Sequence, residues 1–201
     1  MKIIVLASAS PRRKELLEKI GLKFVMEPSD IEEDIDSGLE PHELVRQISL
    51  KKAKAVAANY KNAIIIAADT IGVIGNKILG KPHTLKKAAQ MLNEISGQPH
   101  LVITGITVLD TATNKSVSRT VETVVFIKKL NKQEISAYMK TGEPLDKAGA
   151  YAIQGMGAII VERIEGDFYN VMGLPLQALA EILQEFGIDV WKSTPSIKNT
   201  K

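Results

Sequence analysis

The opening run Lys2-Ile3-Ile4-Val5-Leu6-Ala7 is apolar, rich in β-branched residues and nearly free of alternation. That pattern fits a strand buried on both faces and central in a sheet, because a half-solvated strand would alternate. A helix is expected directly after it. Ser10 can cap its first turn, Pro11 fits the first helical position, and Leu16, Leu17 and Ile20 give an apolar face before Gly21 ends it.

The remaining pattern extends this start into a mixed sheet. A short strand at residues 24–25 leads into the acidic stretch Asp30-Ile31-Glu32-Glu33-Asp34, and a long helix is expected over residues 41–60. Residues 63–68 read as a second buried strand ended by Asp69-Thr70, followed by a hairpin over residues 71–79 that turns at Gly75-Asn76. Two runs rich in Val, Ile and Thr over residues 101–129 flank Thr113-Asn114-Lys115 and predict a long antiparallel hairpin. Helices are expected at 84–95, 132–141 and 174–186, a polar loop at 146–157 and a strand at 158–164. The chain shows no internal repeat, low-complexity segment or clear linker. An α/β fold is predicted: one functional unit over residues 1–187, a mixed sheet with helices around it, and a ragged tail over 188–201.

Composition narrows the chemistry. With no cysteine, disulfides, thiolate nucleophiles and sulfur-rich metal sites are excluded, and the cytoplasm is the expected compartment. The N-terminal apolar stretch is too short for a signal-peptide core, and no segment is long enough to span a membrane. The net charge is only +3 and aromatic residues are few, so no stacking surface for nucleic acid is expected and an anionic partner should be small.

Ser8-Ala9-Ser10-Pro11-Arg12-Arg13 sets two hydroxyls and two guanidiniums at a strand-to-helix junction, where unpaired N–H groups and the helix dipole favour an anion. A capped helix with two solvated arginines is the plainer alternative. Asp69, at the end of an apolar strand, can hold a hard cation or activate water, with Thr70 beside it for substrate; a capped turn is its alternative. Glu32, Glu33 and Asp34 can add a second carboxylate to the same metal, or simply form a solvated loop.

Gly75-Asn76-Lys77-Ile78-Leu79-Gly80-Lys81-Pro82 nearly matches a Walker A loop, but Pro82 stands where a metal-binding Ser or Thr is required. A P-loop is excluded, while Lys81 remains a candidate phosphate ligand. On the long helix, spacing does not choose among Lys51, Lys52 and Lys54. His42, His83 and His100 are scattered without zinc-ligand spacing and are expected on the surface or in turns. No Gly-x-Ser-x-Gly elbow occurs, which leaves hydrolysis by metal-activated water. Glycines around Tyr151 and Gln154 suit close backbone approach and hydrogen bonding to a base edge, or merely a tight connection. The segment Gly166-Asp167-Phe168-Tyr169-Asn170 can close over a ligand or form a turn with packed aromatics.

Taken together, residues 8–17, Ala67-Ala68-Asp69-Thr70, Gly80-Lys81-Pro82, residues 146–155 and Gly173-Leu174-Pro175-Leu176 resemble the Maf family of nucleotide pyrophosphatases, in an order and spacing that extends to about Phe186. The resemblance implies a fold like that of inosine triphosphate pyrophosphatases: an elongated mixed sheet, two lobes and a central nucleotide cleft. It also implies a divalent cation, Mg²⁺ or Mn²⁺, and a homodimer. By matching positions, Asp69 is the expected general base and Glu33 a further metal ligand, while Ser8, Arg12, Arg13, Lys52 and Lys81 surround the triphosphate. Residues 146–155 look like the branch acting on dTTP and UTP rather than the sister branch acting on 7-methylguanosine triphosphate. Arg12, Thr70 and Gln154 match positions tied to that choice. Gly72 departs from the family pattern, which usually has a bulkier apolar residue there. The family's association with inhibition of septum formation gives the alternative of a nucleotide-binding regulator acting through a protein partner.

Overall fold

In the computed structural model, which describes residues 2–31, 34 and 38–193, strand β1 (Ile3–Leu6) runs into helix α1 (Pro11–Lys19) as the sequence predicts. Ser10 caps the helix by accepting from the Arg13 N–H, Pro11 occupies the first turn, and Leu16 and Leu17 are the buried face. Strand β2 (Val25–Met26) follows, then helix α2 (Pro41–Ala57), strand β3 (Ala63–Ile74) and strand β4 (Lys77–Leu79), joined to β3 at Gly75-Asn76. After helix α3 (Leu85–Ile95), the hairpin of β5 (Pro99–Asp110) and β6 (Ser116–Ile127) leads to helix α4 (Lys132–Lys140). Three 3-10 turns, Glu143–Asp146, Ala148–Ala150 and Gly155–Ile159, precede strand β7 (Val161–Glu165) and helices α5 (Phe168–Met172), α6 (Leu176–Glu185) and α7 (Val190–Ser193).

These strands form one mixed sheet in the order β2-β1-β3-β5-β6-β7, with β4 paired to β3. β1 is parallel to both of its neighbours and the other pairs are antiparallel. β3, β5 and β6 have 12 residues each, so the sheet extends roughly 40 Å along them. Helix α2 covers one face along this length. Its half near Val56 packs on Val5, Ile65 and Ala67, and its half near Val45 packs on Ile71, Val73 and Ile103. The other face carries two separate cores: α1 and α6 against Leu6, Ile64, Ile66 and Val108, and α3 and α4 against Val102, Val125 and Ile127.

Several expectations change. β1 is not central, because only the short β2 lies outside it, and Ile3 at its start is 54 % exposed. β3 does not stop at Asp69. It continues to Ile74 because β5 supplies a partner for every residue from Ile64, opposite Asp110, to Val73, opposite Leu101. The last strand starts at Val161 instead of 158, since Gly157 packs against the Ala152 carbonyl in a 3-10 turn too tight for extended chain. Residues 166–170 enter a helical turn, α5, capped by Asp167 and ended by Gly173 in the left-handed region. Past residue 187, Ile188 and Val190 pack onto the α1–α6 core. Gly72 has a local reason: a Cβ there would stand 3.3 Å from Cβ of Leu79, which is fully buried on the paired strand.

Gly105 sets the height of α2 over the sheet. A Cβ at this position would lie 2.4 Å from the Val45 carbonyl oxygen and 2.5 Å from its carbon, both main-chain atoms of α2. Gly105→Ala is expected to destabilise the fold by about 1–3 kcal/mol, the usual range for overpacking. Urea unfolding should show this as a lower midpoint at unchanged slope.

Candidate active site

The edge of β3 is open over one short stretch. β1 pairs with residues 63–66 and β4 with residues 72–74, so residues 67–71 have no strand on that side among the described residues. Alternation along an extended chain sends neighbouring side chains to opposite faces. Asp69 accordingly points toward α2, and Thr70 points toward α1 and α5.

On the α2 face, Lys52 Nζ donates to Asp69 Oδ1 at 2.6 Å, with both residues buried. Oδ2 of Asp69 has no hydrogen-bond partner among the described residues. Burying two charges costs several kcal/mol per ion, and mutual attraction offsets this only in good geometry, so such a pair is a poor device for stability alone. Helical phase explains the choice of lysine. Lys52 lies on the buried stripe Leu44, Val45, Ile48, Ser49, Lys52, Ala53, Val56, whereas Lys51 and Lys54 are exposed. That stripe was a sequence signal, because the apolar positions of α2 fix its inward face.

On the opposite face, Arg13 is held at three points. Nε donates to the Gly173 carbonyl at 2.8 Å, Nη1 to Ser8 Oγ at 3.3 Å and Nη2 to Thr70 Oγ1 at 3.1 Å. Ser8 Oγ also accepts from the Ser10 N–H at 3.1 Å. These contacts fix a planar guanidinium beside the N-terminus of α1, a site favourable to phosphate. Thr70 Oγ1 lies 2.9 Å from Thr104 Oγ1, which donates to the Asn170 carbonyl at 3.2 Å. Thr104 has no sequence signature beyond the Thr-Gly interruption of an apolar run, and Asn170 none beyond its place in the segment 166–170.

The structure therefore joins Ser8, Arg13, Thr70, Asp69 and Lys52 around one gap. Arg12, Lys81 and Gln154 stand outside this bonded group. Arg12 is half-buried and burial lowers its pKa, against the opposing pull of Asp146, Glu15 and Tyr138, which belong to the first 3-10 turn, α1 and α4. Gln154 is half-buried and Lys81 exposed, and neither makes a hydrogen bond or ion pair among the described residues. Glu33, expected as a metal ligand, and Glu32 lie outside the described residues. No three His, Cys, Asp or Glu side chains converge to hold a metal among the described residues. The one carboxylate at this gap, Asp69, is an oxygen donor of the kind a hard cation takes.

Two expectations about the flank of the site are corrected. His100 is buried instead of exposed, and Tyr151 turns inward instead of presenting its hydroxyl to a base edge. They pair with each other: His100 Nε2 lies 2.8 Å from Tyr151 Oη, and the rings meet edge to face. Both sit at the core under α3 and α4, where the tight turn at Gly149 and Ala150 directs Tyr151 inward.

Residues 3–186 match the model of the family described as Maf-like protein. The chain belongs to the Maf family. A relative from Methanosarcina barkeri, named dTTP/UTP pyrophosphatase, is 49% identical over 193 residues, covering 96% of this chain and 98% of its own. One of the same name from Methanococcoides burtonii is 53% identical over 192 residues, covering 95% and 98%. Among solved structures, the Ham1 protein of Staphylococcus aureus superposes with a TM-score of 0.54 at 15% identity, over 92% of this chain and all of that one. A HAM1 protein from Coxiella burnetii gives 0.52 over the same shares. These two share the fold.

His100 generates a pH prediction. Burial lowers its pKa from 6.5 to about 4, so the folded state favours the neutral ring while the unfolded chain takes up a proton below pH 6.5. This contribution to stability is complete above pH 6.5 and is lost as pH falls from there to about 4, by roughly 3 kcal/mol in all. Urea unfolding of the native chain should therefore weaken more steeply over that window than unfolding of His100→Gln. Parallel pH profiles would refute it.

Proposed function

We propose that this chain hydrolyses the α–β phosphoanhydride bond of nucleoside triphosphates, with dTTP and UTP as its substrates, releasing nucleoside monophosphate and pyrophosphate. The carrying observation is the buried Lys52–Asp69 pair, set one residue from the Arg13–Thr70 contact across the open edge of β3. A carboxylate with its lysine on one face of this edge, and a guanidinium with two hydroxyls on the other, are together suited to a polyphosphate lying across it. The preference for dTTP and UTP rests on the names of the relatives and on the match over residues 146–155.

In this mechanism Asp69 orients the attacking water and accepts its proton. The water oxygen forms a new bond to phosphorus, the α–β bridging bond breaks, and pyrophosphate leaves with the bonding electrons. Ser8 and Arg13 hold phosphate oxygens, and Lys52 and Lys81 offset charge on the leaving group, where preorganised electrostatics act most strongly. Arg12, Thr70 and Gln154 border the nucleobase. Asp69 would hold a divalent cation, with Glu33, which lies outside the described residues, as the second ligand expected from the sequence, and the cation would supply Lewis-acid polarisation of the phosphates. The same reading takes the enzyme as a cytoplasmic homodimer; no helix of the described residues is long and apolar enough to cross a membrane.

The test is pyrophosphate release from dTTP, UTP, CTP, GTP and 7-methylguanosine triphosphate with Mg²⁺ or Mn²⁺. Preference for dTTP and UTP is expected. Activity on the methylated nucleotide alone would overturn the base assignment, and inactivity on all five would overturn the reaction. Asp69→Asn should reduce kcat by about 100-fold or more, the scale seen for loss of a preorganised catalytic group. Near-normal turnover in that variant would remove Asp69 from its role.

A further inference from the structure

We infer that Thr104 is a positioning residue that, with Asn170, aims the Thr70 hydroxyl at Arg13 and so holds the guanidinium in place for phosphate. The inference rests on the proposed phosphate-binding role of Arg13 and extends it to two residues remote from the anion itself.

The direction of the hydrogen bonds carries the argument. A hydroxyl has one proton to give. Thr104, fully buried, gives its proton to the Asn170 carbonyl at 3.2 Å. In the 2.9 Å contact between the two threonines, Thr70 must therefore be the donor and Thr104 the acceptor. With its proton turned toward Thr104, the Thr70 oxygen presents lone pairs to Arg13 Nη2 at 3.1 Å. The relay runs Arg13 to Thr70 to Thr104 to Asn170, and every step points the same way.

Its far end is anchored more firmly than packing alone requires. The Asn170 carbonyl also accepts from the Gly173 N–H at 2.9 Å, which closes α5. The Asn170 side chain is fully buried and donates from Nδ2 to the Val102 carbonyl at 2.9 Å and to Thr123 Oγ1 at 3.0 Å, tying α5 to β5 and β6. Its Oδ1 has no partner among the described residues, a cost that an apolar residue at this position would avoid. Gly173, which caps the same short helix, also gives its carbonyl to Arg13 Nε. α5 thus braces the guanidinium twice, once directly and once through the relay. Asp69 and Lys52 lie on the other face of the sheet and take no part in it.

The test compares wild type, Thr104→Val, which keeps the branched shape without the hydroxyl, and Thr104→Ser, which keeps the hydroxyl. Calorimetric binding of inorganic pyrophosphate and steady-state kinetics with UTP are the readouts. Thr104→Val should weaken pyrophosphate binding and raise KM by about tenfold, the worth of one hydrogen bond to a charged group, with kcat changed less than threefold. Thr104→Ser should restore both. Thr104→Ala, which introduces no clash, replaces the valine variant if that fails to fold. A dissociation constant for Thr104→Val or Thr104→Ala within twofold of wild type, or a serine variant as weak as valine, would overturn the relay. A wild-type protein that binds pyrophosphate but hydrolyses no nucleotide would sink the proposed reaction and leave the relay to be decided by binding. One that binds no pyrophosphate would overturn both the phosphate grip and the relay.

Discussion

The continuous pairing of β3 with β5 is the constraint on which the rest depends. It places Asp69 opposite Gly105 and Thr70 opposite Thr104. Because the partner strand is unbroken, β3 stays extended through the stretch where β1 has ended and β4 has not begun, and an open edge is held rigid from behind. Both ends of this stretch are apolar and packed, while its middle is polar. A one-residue slip would exchange the faces of Asp69 and Thr70 and separate each from its partners.

The two faces of the gap divide the chemistry. On one, a long helix brings Lys52 to Asp69 in a setting where a desolvated ion pair is costly and an unpaired charge costlier still. On the other, a short helix and a helix N-terminus converge on Arg13. Each face thus carries one cation held by its own hydrogen bonds, Lys52 on one and Arg13 on the other. Lys52 and Asp69 are both buried, whereas Lys81 is exposed and Gln154 half-buried.

Much of this was legible in the sequence wherever one local rule decided the outcome. Ser10 and Pro11 announced the helix that carries Arg13, Gly75-Asn76 announced the β3–β4 turn, and the Val-, Ile- and Thr-rich runs announced the β5–β6 hairpin. The failures arose where a distant partner decided. Asp69 and Thr70 looked like the end of a strand because two polar residues usually end one, and only pairing with β5 keeps them inside it. His100 looked like a surface or turn residue because it lacks zinc-ligand spacing, and its buried partner Tyr151 lies 51 positions along the chain. Thr104 carried no signal of its own and Asn170 only its place in the segment 166–170, since their contact forms only where β5 and α5 meet. The placement of Glu33 lies outside the described residues.

The contact at Gly105 has a consequence for how this chain can vary over time. The atoms that a side chain would strike belong to the main chain of α2, which every amino acid shares. No single replacement on the helix can make room, so a change at position 105 has no one-step compensation elsewhere. Drift at this position is closed off by geometry, while the exposed faces of the same two elements remain open to it.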